Sequence, residues 1–191
     1  MLIFILVIIV GLFVYVKFFK GPSASLLGGS STPVVEVLSN WRQLFPFFSL
    51  SSEQFYSTIE EMVKNHQMPN IKIERVNQKE AGLLSSSREY LRVRRGDLIF
   101  EICAAPFGTD FFVSWWLYET EGTVRSLFKN TKFGDWLSNR AHSKTFFQMD
   151  TESMFRSCVH ECVLESLESV TAGKGVRQLT DSEKAFTMVG K

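Results

Sequence analysis

The spacing of apolar and polar residues changes character along the chain, and each change marks a boundary. In MLIFILVIIVGLFVYVKFFK, residues 2–16 are continuously apolar apart from Gly11 and the Tyr15 hydroxyl, and no charge precedes Lys17. With Phe18 and Phe19 the stretch reaches about 18 residues, or roughly 27 Å of helix at about 1.5 Å per residue. That length predicts a crossing of a ~30 Å hydrocarbon layer, with Lys17 snorkelling and Tyr15 near the interface. The alternative is a cleaved signal peptide. It calls for a basic leading region, which Met-Leu-Ile lacks, although Ser23-Ala24-Ser25 would serve as a cleavage site. The expectation is an uncleaved, single-pass signal-anchor over 1–20, touching the lipid bilayer through residues 2–19. Lys17, Lys20 and Arg42 follow the span while only the α-amine precedes it. The positive-inside rule then puts the N-terminus outside and the following domain in the cytoplasm.

GPSASLLGGSSTP, residues 21–33, has no periodicity. Its Gly, Ser and Pro content reads as a flexible linker, and Pro22 prevents the preceding helix from continuing. About 13 residues of coil have a mean span of roughly 20 Å.

A folded domain is predicted over 34–173. Val34, Val37, Leu38, Trp41, Leu44 and Phe45 recur at helical intervals, so 34–48 reads as a short helix ended at Pro46. SLSSEQFYSTIEEMVKNHQ is a clearer helix. Ser51 and Gln54 fit a capping box, Phe55, Ile59, Met62 and Val63 share a face, and Met68-Pro69-Asn70 stops it. The period then drops to two. IKIERVNQ (71–78) alternates, and EYLRVRRGDLIFEICAA (89–105) reads as a hairpin around Gly96-Asp97. In that register Arg95 faces Leu98, Val93 faces Phe100 and Leu91 faces Ile102, while Arg92 meets Glu101 on the other side. One face becomes apolar and the other gains an opposite-charge pair.

DFFVSWWLYE (110–119) continues the meander. Phe111, Val113, Trp115 and Leu117 alternate with Phe112, Ser114, Trp116 and Tyr118, so both faces are largely apolar and the strand reads as central. Pro106 and Gly108 supply the turn that leads into it. Short helices near 123–129 and 134–141 and a strand over 144–149 are expected next. A long helix near 151–171 follows, capped by Asp150 or Thr151, with Phe155, Cys158, Val159, Cys162, Val163 and Leu167 on one stripe. Gly173 ends it. Residues 174–191 read as a polar C-terminal tail in which Thr180 and Glu183 cap a short last helix. The fold class is therefore α+β: an antiparallel sheet, a meander of about four or five strands, packed by helices.

Composition narrows the function. Among 191 residues there are 21 basic and 20 acidic side chains, a net charge of +1, so no global field draws the chain to nucleic acid. The 18 phenylalanines need a core, a membrane or a partner to cover them. Three cysteines without zinc-type spacing argue against a disulfide framework and fit a reducing compartment.

Candidate chemistry is sparse. In CVHEC, Cys158 and Cys162 share a helix face, but His160 lies about 200° round from Cys158 at about 100° per residue. The pair reads as core thiols, not metal ligands. His66, His142 and His160 stand in unrelated contexts, and a Cys103–His142 pairing has no supporting motif. No G-x-S-x-G, P-loop, H-E-x-x-H or dinucleotide signature occurs. The sequence thus gives no reason to expect an enzyme, a cofactor or a metal. RGD at 95–97 is turn chemistry.

Two regions remain. REYLRVRRG puts Tyr90, Arg92 and Arg94 on one strand face with Arg88 at its edge, and Lys129, Lys132, Arg140 and Lys144 make a second basic region. Together with Trp116 and Tyr118, Arg92 and Arg94 are the candidate contacts for an unidentified membrane or cytoplasmic protein. The expected function is a membrane-anchored protein–protein interaction or scaffold domain that recruits a complex at the cytoplasmic face. The competing expectation is a small-molecule or lipid-binding domain. Its apolar cavity would lie between sheet and long helix, lined by Phe111, Val113, Trp115 and Phe155.

Overall fold

A glycine at φ +60°, Gly96, closes the hairpin that organises the sheet. Left-handed backbone at the first of two loop residues matches the right-handed twist of the strands it joins. Strands β3 (Ser87–Arg95) and β4 (Leu98–Phe107) flank it in the register the sequence predicts, Arg95 opposite Leu98, Val93 opposite Phe100, Leu91 opposite Ile102 and Arg92 opposite Glu101. Gly108, at φ +64°, repeats the device between β4 and β5 (Asp110–Thr120), where Phe107 faces Asp110. The computed structural model describes residues 34–79, 87–120 and 144–189.

Within them the chain is α+β. Strand β1 (Val34–Phe45) and helix α1 (Ser52–Asn65) come first, then β2 (Lys72–Lys79) and the β3–β4–β5 meander. Helices α2 (Phe146–Thr171) and α3 (Asp181–Lys184) and the two-residue strand β6 (Thr187–Met188) complete it. The sheet is antiparallel throughout, with six strands in the order β2-β3-β4-β5-β1-β6, and β5 lies between β4 and β1.

One face of the sheet carries Trp41, Phe45, Leu91, Val93, Phe100, Ile102, Phe111, Val113, Trp115 and Leu117, all buried. Phe55, Tyr56, Ile59 and Val63 of α1 and Phe155, Val159, Cys162, Val163 and Leu167 of α2 close over it in the same core. Ring contacts knit the layers: Phe100 packs on Trp115 at 4.8 Å and on Phe155 at 5.4 Å, and Phe111 on Phe55 at 5.7 Å. Tyr56 ties α1 to the sheet by two hydrogen bonds, its hydroxyl accepting from the Ala104 N–H at 2.9 Å and donating to the Glu89 carbonyl at 2.9 Å.

Three expectations are corrected. Residues 34–48 do not form a helix, since 34–45 are β1. Register shifts near Val34/Glu36 and Val37/Ser39 break the alternation, so Leu38 and Ser39 are both buried before Trp41 and Phe45 resume the inward set. A period-two pattern interrupted by bulges mimics helical spacing. Residues 144–149 are not a strand. Thr145 caps α2 in a reciprocal box with Gln148, so the helix starts at Phe146 instead of near 151. The sheet also has more strands than the meander reading gave, because β1 and β6 add along the far side of β5.

The segment read as a polar tail is polar but docked. Thr180 and Glu183 cap α3 reciprocally, the Trp41 indole N–H donates to the Glu183 carbonyl at 2.7 Å, and β6 pairs with Ser39 and Asn40 of β1. The proposed anchor and linker, and the expected helices near 123–129 and 134–141, lie outside the described residues. Among those described, no helix is long and apolar enough to cross a membrane.

Candidate interaction surface

The helices cover one side of the sheet, and the candidate contacts all lie on the other. Glu74, Arg92, Glu101, Trp116 and Asn40 form one cross-strand row over five strands. Lys72, Arg94, Ile99, Tyr118 and Val37 form the next. Within each row the arginine and the aromatic are two strands apart, roughly 9.5 Å at the ordinary strand spacing. The four candidates thus share a face without touching as one cluster.

What lies between them is Glu101. Its Oε1 accepts from Arg92 Nε at 2.7 Å, from Arg92 Nη2, from the Tyr118 hydroxyl at 2.9 Å and from Gln78 Nε2 at 3.4 Å. The Arg92 Nη1 also approaches Glu74 Oε1 at 3.6 Å, and Lys72 holds the other Glu74 oxygen at 2.7 Å. Arg92 and Glu101 are both buried. Burial works against the Arg92 charge, but the bonds and charge of Glu101 outweigh it and hold the guanidinium above its usual range. Burial, followed by the Glu101 charge, pushes the Tyr118 hydroxyl well up, so it stays protonated and donates. The Lys72 hydrogen bond keeps the Glu74 carboxyl below its ordinary value.

This network makes a stiff, internally neutralised floor. Among the described residues Glu101 Oε2 is buried without a hydrogen-bond partner, so Oε1 takes all four bonds given above. Above the floor Trp116 stands 44% exposed, with Arg94 half-buried beside the hairpin turn and donating from Nε to the Gly96 carbonyl at 2.7 Å. Arg92 and Tyr118 therefore organise the surface from within, while Trp116 and Arg94 are what it presents. The sequence exposes the Arg92–Glu101 pair through the hairpin register. The Tyr118 and Gln78 bonds need the β2–β3 and β4–β5 registers as well.

The four residues proposed to line a cavity, Phe111, Val113, Trp115 and Phe155, are buried in the core, and Phe111, Trp115 and Phe155 pack against neighbouring rings. A cavity of about 190 Å³ lies elsewhere, between the C-terminal end of α2 and the 173–179 loop, and Phe45, Leu164 and Leu179 are among its lining.

The cysteine and histidine candidates separate. Cys162 is in the core, where burial pushes its thiol up to about 12. Cys158 is half-exposed, not part of the core stripe, and its Sγ lies 3.5 Å from His66 Nδ1. His66 Nε2 lies 3.1 Å from Glu165 Oε2, so the trio links α1 to α2. Burial, then the charges of Glu165 and Glu161, raises the Cys158 thiol, which keeps it protonated. Cys103 is buried on the outer sheet face with Arg88 Nη1 at 4.0 Å, and burial raises its thiol too. His160 accepts from the Trp115 indole at Nδ1 (3.1 Å) and, as the neutral Nε2–H tautomer, donates to the Lys184 carbonyl at 2.7 Å. Among the described residues no group of three or more His, Cys, Asp or Glu could hold a metal ion. His142, Lys129, Lys132 and Arg140 lie outside the described residues.

The chain matches no family model, no curated protein and no solved structure.

Proposed function

We propose that the protein is a membrane-anchored interaction domain that recruits a partner protein at the cytoplasmic face through the outer face of its sheet. The observation that carries the reading is Trp116. It is a large aromatic, 44% exposed, on a sheet face whose neighbouring polar side chains are already locked to one another. A rigid floor lets a partner bury the indole without the ordering of flexible side chains that weakens association. Tryptophan and arginine are the side chains that most often carry interface energy. The apolar stretch over 2–19 supplies the anchor in this reading, and the lysines that follow it supply the orientation.

The close packing of Phe111, Val113, Trp115 and Phe155 favours this reading over a ligand cavity between sheet and long helix. The test is a crosslinking pull-down of the full chain beside Trp116→Ala and Arg94→Glu. Arg94 is the better charge reversal because reversing Arg92 would break a buried ion pair and test folding instead. Partner recovery is expected to fall in both variants at unchanged thermal stability. Undiminished recovery in both would remove the surface assignment.

A further inference from the structure

Among the described residues, two phenylalanines at the start of α2 stand largely exposed. Phe146 is 86% exposed and Phe147 80% exposed, and Met149 beside them is 51% exposed. Their place in the fold follows from three contacts. Arg95 Nη1, at the β3–β4 turn, reaches the Thr151 carbonyl at 3.5 Å. Lys144 Nζ bridges Glu119 of β5 at 2.9 Å and Glu152 of α2 at 2.7 Å. Thr120, next to Glu119, pairs with Val34. The first turn of α2 therefore sits at the end of the sheet where β1 begins. Phe146 precedes Thr151 by five residues, which carries it about 7.5 Å along the helix axis from that contact.

Val34 is also where the proposed tether arrives. Resting on the anchor reading above, we infer that Phe146, Phe147 and Met149 form a second membrane contact. They seat in the interfacial region of the bilayer and fix which end of the domain faces the lipid. Read from its sequence as a coil, the segment of residues 21–33 would have a mean span of roughly 20 Å. Opposite it, Phe47 and Phe107 are exposed at the far end of β1 and β4. That end lies about 34 Å further along the strands at about 3.4 Å per residue, beyond the coil's mean reach. The tether thus presents one apolar cluster to the bilayer and holds the other away. Two phenylalanines and a methionine are too few to bind a membrane from solution. They suffice once a covalent tether raises their local concentration at the surface. Among the described residues beside the patch, Lys144 is committed to Glu119 and Glu152, so the contact inferred here is carried by the apolar side chains.

The experiment uses the full chain in phosphatidylcholine vesicles, with the photocrosslinker p-benzoylphenylalanine in place of either Phe147 or Phe107. The expected result is retention of both proteins through an alkaline carbonate wash, with several-fold more lipid adduct at position 147 than at 107. Release by carbonate overturns the anchor and this inference with it. Retention with equal adduct at the two positions, or with none at 147, overturns the inference and leaves the anchor standing.

Discussion

At the scale of single residues, the buried charges and the buried histidine decide behaviour. Arg92 and Glu101 face each other across β3 and β4, in the same row as Trp116, and are shielded from water. Removing one partner strands the other, so Arg92→Met is expected to cost about 3–5 kcal/mol in urea unfolding. Arg92→Met combined with Glu101→Met should cost less than the single change, because an apolar pair leaves no uncompensated ion. His160 gives a pH signature. Burial holds its imidazolium form down from the ordinary 6.5, outweighing the hydrogen bond to the Lys184 carbonyl, which favours the charged ring. A histidine whose folded value is depressed favours the folded state when neutral. Its contribution is complete above 6.5 and is lost as pH falls from there toward the lower folded value. The melting temperature should therefore drop across that acidic window, and His160→Gln should flatten this part of the profile. Little of this was legible beforehand. The 3.6-residue period sets His160 apart from the two cysteines, but its partners are 45 residues before it and 24 after it.

At the scale of elements, local chemistry decided what could be read. The β3–β4 hairpin was legible because its turn, its apolar pairs and its charge pair all demand one register. Gly96 is strained for any other residue at φ +60°, although a Cβ there would meet nothing within 4 Å. Gly96→Ala should therefore cost only the backbone term, about 1–2 kcal/mol by equilibrium unfolding, and leave the fold intact. β1 was illegible for the opposite reason. Its partners β5 and β6 are distant in sequence, and bulges near Glu36 and Leu38 scrambled its period. The start of α2 hid behind Phe146 and Phe147, whose aromatic pair suits a strand. The Thr145–Gln148 capping box overrides them. Thr145→Ala should lower stability by about 1 kcal/mol, read as a shift in the urea midpoint at unchanged slope.

At the scale of the whole molecule, the sheet separates two jobs. Its inner face, with α1 and α2, is a buried, aromatic-rich core. Its outer face is a set of charged and aromatic rows in which Trp116 is 44% exposed. The sequence brought Arg92, Arg94, Trp116 and Tyr118 to one face, because alternation fixes sidedness once the strands are found. It could not say which of them reach solvent: Arg92 and Tyr118 are buried and bonded to Glu101, while Trp116 is 44% exposed. The central claim, that this outer face is the docking surface of an anchored domain, is most directly tested by photocrosslinking in native membranes. The full chain would carry p-benzoylphenylalanine in place of Trp116, or in place of Glu61 on the exposed side of α1. The account predicts a discrete protein adduct at position 116, none at 61, and loss of the adduct when Arg94→Glu is added. No adduct at 116, or the same adduct at both positions, would contradict it.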